Sequence, residues 1–365
     1  MTAQAYRELA HRLDTLPNGY PSTEDGVELR LLALIFTPEE AELTSKLRLT
    51  LETPGEVASR LDRNPGETKS MLKVLFRKRL IRAGRADGGL GYGLMPFAVG
   101  IYEYQIGSID AEMAQVFETY YMNAYGKMLA IEPAIHRVIP VGETVRNDME
   151  VHSYESATSF VENAQSWGVV DCICRKQKAL VGDPCDHPLD VCMIFHHHPG
   201  AFDNSSVIRA QTKEESFATL KRAADAGLVH SVSNSQSGDT HFHSYICNCC
   251  TCSCGILRGM ADLGIANVVA RSAFVNVVEP DDCNLCESCI EFCQFDALSL
   301  EPADTYIQIN ETRCVGCGVC IPACPDDALT LVRRPEDQIM PIPETHEDWL
   351  NERALARGID INQVL

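Results

Sequence analysis

Residues 283–301, CNLCESCIEFCQFDALSLE, and residues 314–332, CVGCGVCIPACPDDALTLV, are two copies of one pattern, starting 31 residues apart. Each spaces its cysteines as C-x2-C-x2-C-x3-C, giving Cys283, Cys286, Cys289 and Cys293, then Cys314, Cys317, Cys320 and Cys324. The likeness runs past the cysteines, with Ala297, Leu298 and Leu300 standing against Ala328, Leu329 and Leu331. Short apolar strands are predicted ahead of both copies, VNVV at 275–278 and YIQI at 306–309. Thiols at such spacings read as metal ligands. A pair of structural zinc sites would need two self-contained groups of four, and it leaves the repeated alanine and leucines unexplained.

This arrangement resembles the bacterial-type ferredoxins, whose two [4Fe-4S] clusters are held by an internally repeated fold. Three thiolates on a tight loop grip three corners of one cubane, and the fourth cysteine of each run reaches the other cluster. The resemblance covers residues 276–332. It implies that Cys283, Cys286, Cys289 and Cys324 hold one cluster, and that Cys314, Cys317, Cys320 and Cys293 hold the other. One departure is visible. Pro325 follows the fourth cysteine of the second copy, but Gln294 follows that of the first. Proline has no N–H to donate, so Gln294 is expected to change the hydrogen bonding at that point.

The chain has 365 residues and 17 cysteines, of which 13 lie after residue 246. Its start, MTAQAYRELAHRLDTL, is polar and amphipathic and lacks the apolar stretch of an export signal. A cytoplasmic protein is expected, in which clustered thiols bind metal and do not form a disulfide framework. No run of about 18 or more apolar residues appears, so no membrane span is expected. Hydrophobic residues make up 45%, enough for globular cores. A net charge of -20 opposes polyanionic partners and suits docking on a basic patch of a redox partner.

Two further cysteine groups lie upstream. CICRKQKALVGDPCDHPLDVC at 172–192 places Cys172, Cys174, Cys185 and Cys192 around a turn at Gly182 and Pro184. An additional [4Fe-4S] cluster is the expected occupant, with Arg175 and Lys176 offsetting its charge. A structural zinc using His187, or plain burial of small residues, are the alternatives. The run Trp167–Arg175, W-G-V-x-D-C-I-C-R with Val170 at the variable position, resembles cysteine loops of multi-cluster iron–sulfur proteins of anaerobes. CNCCTCSCG at 247–255 carries Cys247, Cys249, Cys250, Cys252 and Cys254. The adjacent side chains of Cys249 and Cys250 diverge, so the five cannot share one cubane comfortably. Two to four of them are expected to bind a fourth cluster, or to complete one shared with the 172–192 loop. Redox-active dithiol chemistry is the alternative. The run His196, His197 and His198, and the pair His241 and His243, are weaker metal candidates that read more simply as surface.

The fold expected is α+β. Residues 1–98 read as a helical region ending in a winged-helix-like arrangement. Its apolar residues keep helical spacing over 26–48. Thr53 with Pro54 and Asn64 with Pro65 mark two helix starts, and GRADGGLGYGL at 84–94 reads as a hairpin. Residues 99–275 form a mixed, cysteine-rich region in which SYESATSFVENAQSW has helical spacing. Residues 276–332 are the ferredoxin-like part, and 333–365 a tail with a helix at EDWLNERALARG. No G-x-G-x-x-G follows a strand, and GGLGYG lacks the helix that would place a phosphate, so nucleotide and flavin sites find no support.

Two functions follow. The first is an electron-transfer protein, a subunit or dedicated partner of an anaerobic oxidoreductase complex, with no substrate site of its own. The second is a redox-sensing regulator using the winged helix. Lys69, Lys73, Arg77, Lys78, Arg79, Arg82 and Arg85 face one acid, Glu67, in that stretch. The overall charge makes DNA the less favoured partner without excluding it.

Overall fold

The computed structural model describes residues 2–141, 151–237 and 244–365. Their contacts divide the chain into two units. Among the described residues, no helix is long and apolar enough to cross a membrane.

The first unit comprises residues up to Glu132, Gln177–Asp183 and Leu350–Leu365. It opens with helices α1 (Thr2–Asp14), α2 (Val27–Ile35) and α3 (Pro38–Thr44). The apolar run over 26–48 suggested one helix, but the chain restarts at Thr37. There the Thr37 hydroxyl accepts from Glu40 N at 3.3 Å, and the Glu40 carboxylate accepts from Thr37 N at 2.9 Å. Pro38, at the first helical position, cannot donate to a preceding turn, so this capping box divides the run. The same device opens α4 (Pro54–Arg60), with Thr53 as cap and Glu56 as its reciprocal partner. Asn64 caps α5 (Pro65–Arg77) by accepting from the amides of Gly66 and Glu67. Strands β1 (Arg82–Ala86) and β2 (Gly89–Gly93) then pair antiparallel around Asp87 and Gly88. Gly88 has φ +93°, a turn conformation natural to glycine.

Helix α5 buries Thr68, Leu72 and Leu75. That leaves Lys69, Lys73 and Arg77, four residues apart, exposed along one face. Helix α6 (Ala111–Asn123) buries Met113, Val116, Phe117 and Tyr120 in an aromatic core, where Phe117 stacks on Tyr102 at 3.9 Å. From the later part of the chain, Arg353 lies fully buried in this unit. Its guanidinium donates to the carbonyls of Pro17 at 3.1 Å, Met128 at 2.8 Å, and Ile131.

The second unit comprises Pro133–Lys176 and Pro184–Trp349. Its elements are β3 (His136–Val138), α7 (Ala157–Asn163), β4 (Ser166–Val170), the first turn of α8 (Ile173–Leu180), β5 (Cys192–His196), β6 (Arg209–Gln211), α9 (Lys213–Asp225), β7 (Val229–Ser233) and β8 (Ser244–Cys249). The strands form one six-stranded sheet in the order β3-β7-β8-β5-β4-β6, each neighbouring pair antiparallel. Ala157 and Val161 of α7 and Leu220 of α9 pack with Met193, Phe195, Val232 and Ile246 of the strands in one apolar core. Helical spacing suggested that α7 would run to Trp167. It stops at Asn163, because Trp167 pairs with Phe195 on one side and Gln211 on the other. At Gly168 a Cβ would meet the Ile208 side chain at 2.4 Å and Phe202 at 3.1 Å, so a side chain there would force its neighbours to shift.

The unit continues with α10 (Gly259–Leu263), β9 (Phe274–Val278), α11 (Ser288–Phe292), β10 (Leu298–Ser299), β11 (Gln308–Ile309) and β12 (Leu329–Arg333). The strand leading the first cysteine run, β9, pairs antiparallel with β12, which trails the second. The strand leading the second run, β11, pairs with β10, which trails the first. Each copy of the repeat is thus completed by strand pairing with the other.

Candidate metal centres

The upstream cysteines gather at one end of three adjacent strands. Cys172 and Cys174 follow β4, Cys192 opens β5, and Cys247 and Cys249 close β8. β5 and β8 pair through Met193 and Ile246, so one step further Cys192 stands opposite Cys247. The result is a closed ring of six thiols. Cys172 contacts Cys174 and Cys192, Cys247 contacts Cys192 and Cys249, and Cys254 contacts Cys249 and Cys174. The Cys249–Cys254 sulfur separation is 3.3 Å. Backbone amides point into the ring, Gly255 N donating to Cys174 Sγ and Ile256 N to Cys254 Sγ, both at 3.4 Å.

The remaining three upstream cysteines form a separate group. Cys185, Cys250 and Cys252 lie with His187 so that one ligand atom of each falls within 4.8 Å of all the others. The two loops therefore interdigitate, and the 172–192 run does not close on itself as a set of four. Arg175, 4% exposed, lies beside both groups. It donates to the carbonyls of Asn248 at 2.7 Å and Pro188 at 2.9 Å. Burial works against its charge, but the thiols of Cys172, Cys250, Cys192 and Cys249 outweigh that and raise its pKa.

Cys283, Cys286, Cys289 and Cys324 line one opening of about 300 Å³, walled by Val278, Ile307 and Leu329. Cys293, Cys314, Cys317 and Cys320 line another of about 350 Å³, walled by Phe295, Leu298 and Ile309. These are the sets of four that the ferredoxin resemblance implied. A single apolar cluster holding Cys289, Leu298, Ile307, Cys320 and Leu329 lies between the two openings. Matching amides serve the fourth cysteine of each run, Ala297 N donating to Cys293 Sγ and Ala328 N to Cys324 Sγ, each at 3.3 Å. The buried Asn276 donates from Nδ2 to Cys320 Sγ at 3.0 Å. At Gly316, φ +69°, a Cβ would meet Phe274 O at 2.1 Å, so the second loop can close only with glycine there. Sulfurs from two loops, apolar walls and N–H donors aimed at sulfur suit a thiolate-bound [4Fe-4S] cluster in each opening.

Residues 282–328 match the family model of the 4Fe-4S dicluster domain. This segment is a 4Fe-4S dicluster domain. Three relatives share similarity with the chain. Hydrogenase-4 component A of Escherichia coli (strain K12) is 30% identical over 86 residues, 23% of this chain and 41% of that protein. A tetrathionate reductase subunit of Salmonella typhimurium is 30% identical over 92 residues, 22% of this chain and 36% of that protein. An archaeal-type glutamate synthase [NADPH] of Dehalococcoides mccartyi is 36% identical over 55 residues, 15% of this chain and 11% of that protein. The chain spans less than half the length of each of these relatives.

The electrostatics of the dicluster domain fit its cofactor. Burial pushes the thiol of Cys289 up to about 11 and that of Cys317 up to about 12, so free thiolates are unfavourable there. A bound cation reverses that preference, because thiolate ligation to a metal holds sulfur deprotonated. The second opening is the drier one. Cys314, Cys317 and Cys320 are buried, whereas Cys286 of the first is exposed. Near the second opening Arg334, largely buried, donates to Cys314 O at 2.7 Å and Phe274 O at 3.0 Å. In the upstream ring, hydrogen bonds from Cys247 and Cys254 hold the Cys249 thiol down to about 6.

Gln294 of the dicluster domain does alter hydrogen bonding, but toward the upstream loops. Its Oε1 accepts from Thr251 N at 2.7 Å, and its Nε2 donates to Gly227 O. His196 and His197 stack on each other at 4.6 Å and stand outside the group of Cys185, His187, Cys250 and Cys252. His241 and His243 lie outside the described residues. Asn276, Ser253 and the amides of Ala297 and Ala328 escaped the sequence reading. The alanines did carry a signal, since both recur at the same offset after the fourth cysteine.

Proposed function

We propose that the chain is an iron–sulfur electron-transfer protein of the cytoplasm, a subunit or dedicated partner of an anaerobic oxidoreductase complex. The observation that carries this reading is the pair of four-cysteine openings sharing one apolar cluster. When bound, [4Fe-4S] clusters at such sites supply one-electron chemistry with little rearrangement. Cys283, Cys286, Cys289 and Cys324 would hold one cluster, and Cys314, Cys317, Cys320 and Cys293 the other. Four thiols drawn from the ring of Cys172, Cys174, Cys192, Cys247, Cys249 and Cys254 would hold a third, its charge offset by Arg175. Two of the relatives bear names of parts of redox enzymes, a hydrogenase component and a tetrathionate reductase subunit, which supports a partner enzyme.

Residues 54–93 are read as a winged-helix-like docking region. The same stretch underlies the regulator reading. Of its basic residues, Lys78 pairs with Glu40 at 2.6 Å and Arg82 donates to Leu49 O. Lys69, Lys73, Arg77 and Arg85 are exposed. A short stripe in a chain of net charge -20 suits an acidic patch on a protein better than a DNA duplex.

Anaerobic redox titration followed by EPR tests the proposal, together with binding to a co-purifying partner. Reversible one-electron steps are expected, and charge reversal at Lys69, Lys73 and Arg77 should weaken docking while the EPR signals stay unchanged. Sequence-specific DNA binding on the order of 10⁻⁸ M at physiological salt, dependent on cluster state and abolished by the same charge reversal, would establish the regulator instead.

A further inference from the structure

The four-residue group beside the thiol ring differs in kind from the cluster openings. Its ligand atoms all lie within 4.8 Å of one another, and Cys252 Sγ is 3.7 Å from His187 Nδ1. With metal–sulfur and metal–nitrogen bonds of about 2.3 Å and 2.0–2.1 Å, a tetrahedral ion spaces sulfur and nitrogen by roughly 3.6 Å. A cubane spreads its thiolates further, because each binds a separate iron at its own corner. We propose that Cys185, His187, Cys250 and Cys252 bind one tetrahedral divalent ion of the zinc class, a structural site separate from every iron–sulfur centre of the chain.

The ligands arrive as two short pairs, Cys185-x-His187 and Cys250-x-Cys252, so a single ion staples two loops 65 residues apart (His187 to Cys252). Three soft sulfurs and one imidazole are a common structural zinc set, with no position left open for water. The surroundings support such a set. Ser253 Oγ donates to Cys185 Sγ at 3.3 Å, orienting that ligand. Cys250 packs in an apolar cluster with Val191, Ala223 and Leu228. Arg175, whose charge acts on Cys250, offsets the net negative charge of three thiolates with one divalent ion. The staple fixes the Cys250–Cys254 segment, which supplies Cys254 to the thiol ring and Thr251 N to Gln294.

The test uses the full chain purified anaerobically with its clusters. Total metal analysis should give about one zinc per chain, and zinc-edge X-ray absorption should show three sulfurs at about 2.3 Å and one nitrogen at about 2.0–2.1 Å. Cys252→Ser should lower zinc at least fivefold while the EPR signals of the two dicluster centres persist. His187→Cys should keep the zinc with a four-sulfur shell, and it serves if the first variant does not fold. Absence of zinc from the wild type overturns the proposal. So does a wild-type shell of another composition, or loss of iron in place of zinc from Cys252→Ser. This outcome is independent of whether the chain carries electrons or senses them.

Discussion

Gln294 Oε1 accepts a hydrogen bond from Thr251 N at 2.7 Å, joining the dicluster domain to the loop between Cys250 and Cys252. The same side chain donates to Gly227 O at the end of α9. The other copy of the repeat has Pro325 at this position, which offers no side-chain polar group. The asymmetry of the repeat is therefore a tether between cysteine groups.

Gln294→Pro should restore the symmetry and release the tether. Both side-chain bonds would be lost, leaving Thr251 N without its partner, at a cost of about 1–3 kcal/mol. Denaturant unfolding of the loaded protein should show a lower midpoint, with the two dicluster EPR signals retained. An unchanged midpoint would mean that the tether contributes nothing.

Cys293→Ala should damage the centre lined by Cys314, Cys317 and Cys320, not the one lined by its own run. Cys293 stands in the wall of that second opening with Phe295 and Leu298. Site-selective loss is read from EPR of the reduced variant. Damage confined to the centre of Cys283, Cys286 and Cys289 would overturn the assignment.

Asn276→Leu should lower the reduction potential of the same centre. The amide donor 3.0 Å from Cys320 Sγ favours the more negative, reduced state, so its loss makes reduction harder. A net loss near 1 kcal/mol corresponds to roughly 40 mV for one electron. Potentiometric EPR would register it, and an upward shift would contradict the sign.

Two buried histidines should make the protein acid-sensitive well before its carboxylates protonate. Burial holds His136 down to about 3 and His230 down to about 4, against about 6.5 in the unfolded chain. Below pH 6.5 the unfolded chain takes up protons that the folded chain excludes. Stability present above that pH is then lost as pH falls toward 4, at up to about 1.4 kcal/mol per unit for each histidine. Unfolding free energies measured between pH 7.5 and 5 should show this slope, and His136→Gln should reduce it. An equal slope in that variant would remove His136 as a contributor.

Features set by neighbouring residues were legible in the sequence. Thr53 and Asn64 cap helices because a side-chain oxygen reaches an amide two or three residues on, and such a reach is written in the local spelling. The same rule was present at Thr37-Pro38-Glu39-Glu40, where apolar periodicity hid it. The repeat also announced its two runs of four cysteines, because a duplicated pattern carries its own register, while the exchange of the fourth cysteine between the runs came from the ferredoxin resemblance. The upstream thiols followed no such rule. Whether Cys192 meets Cys185 or Cys247 depends on the pairing of β5 with β8, strands separated by some fifty residues of sequence whose register is set by the packing of Met193, Phe195 and Ile246. Trp167 likewise became a strand residue through partners on β5 and β6 that no local period reveals.

The burial of Arg353 carries a consequence for the order of events on the ribosome. Its carbonyl partners at Pro17, Met128 and Ile131 are synthesised 336, 225 and 222 residues before it. Leu49 N likewise donates to Val364 O at 2.7 Å. The helical unit thus waits, incomplete, while the whole cysteine-bearing unit is translated and leaves the exit tunnel. Metal insertion into the nascent chain can precede closure of the part made first.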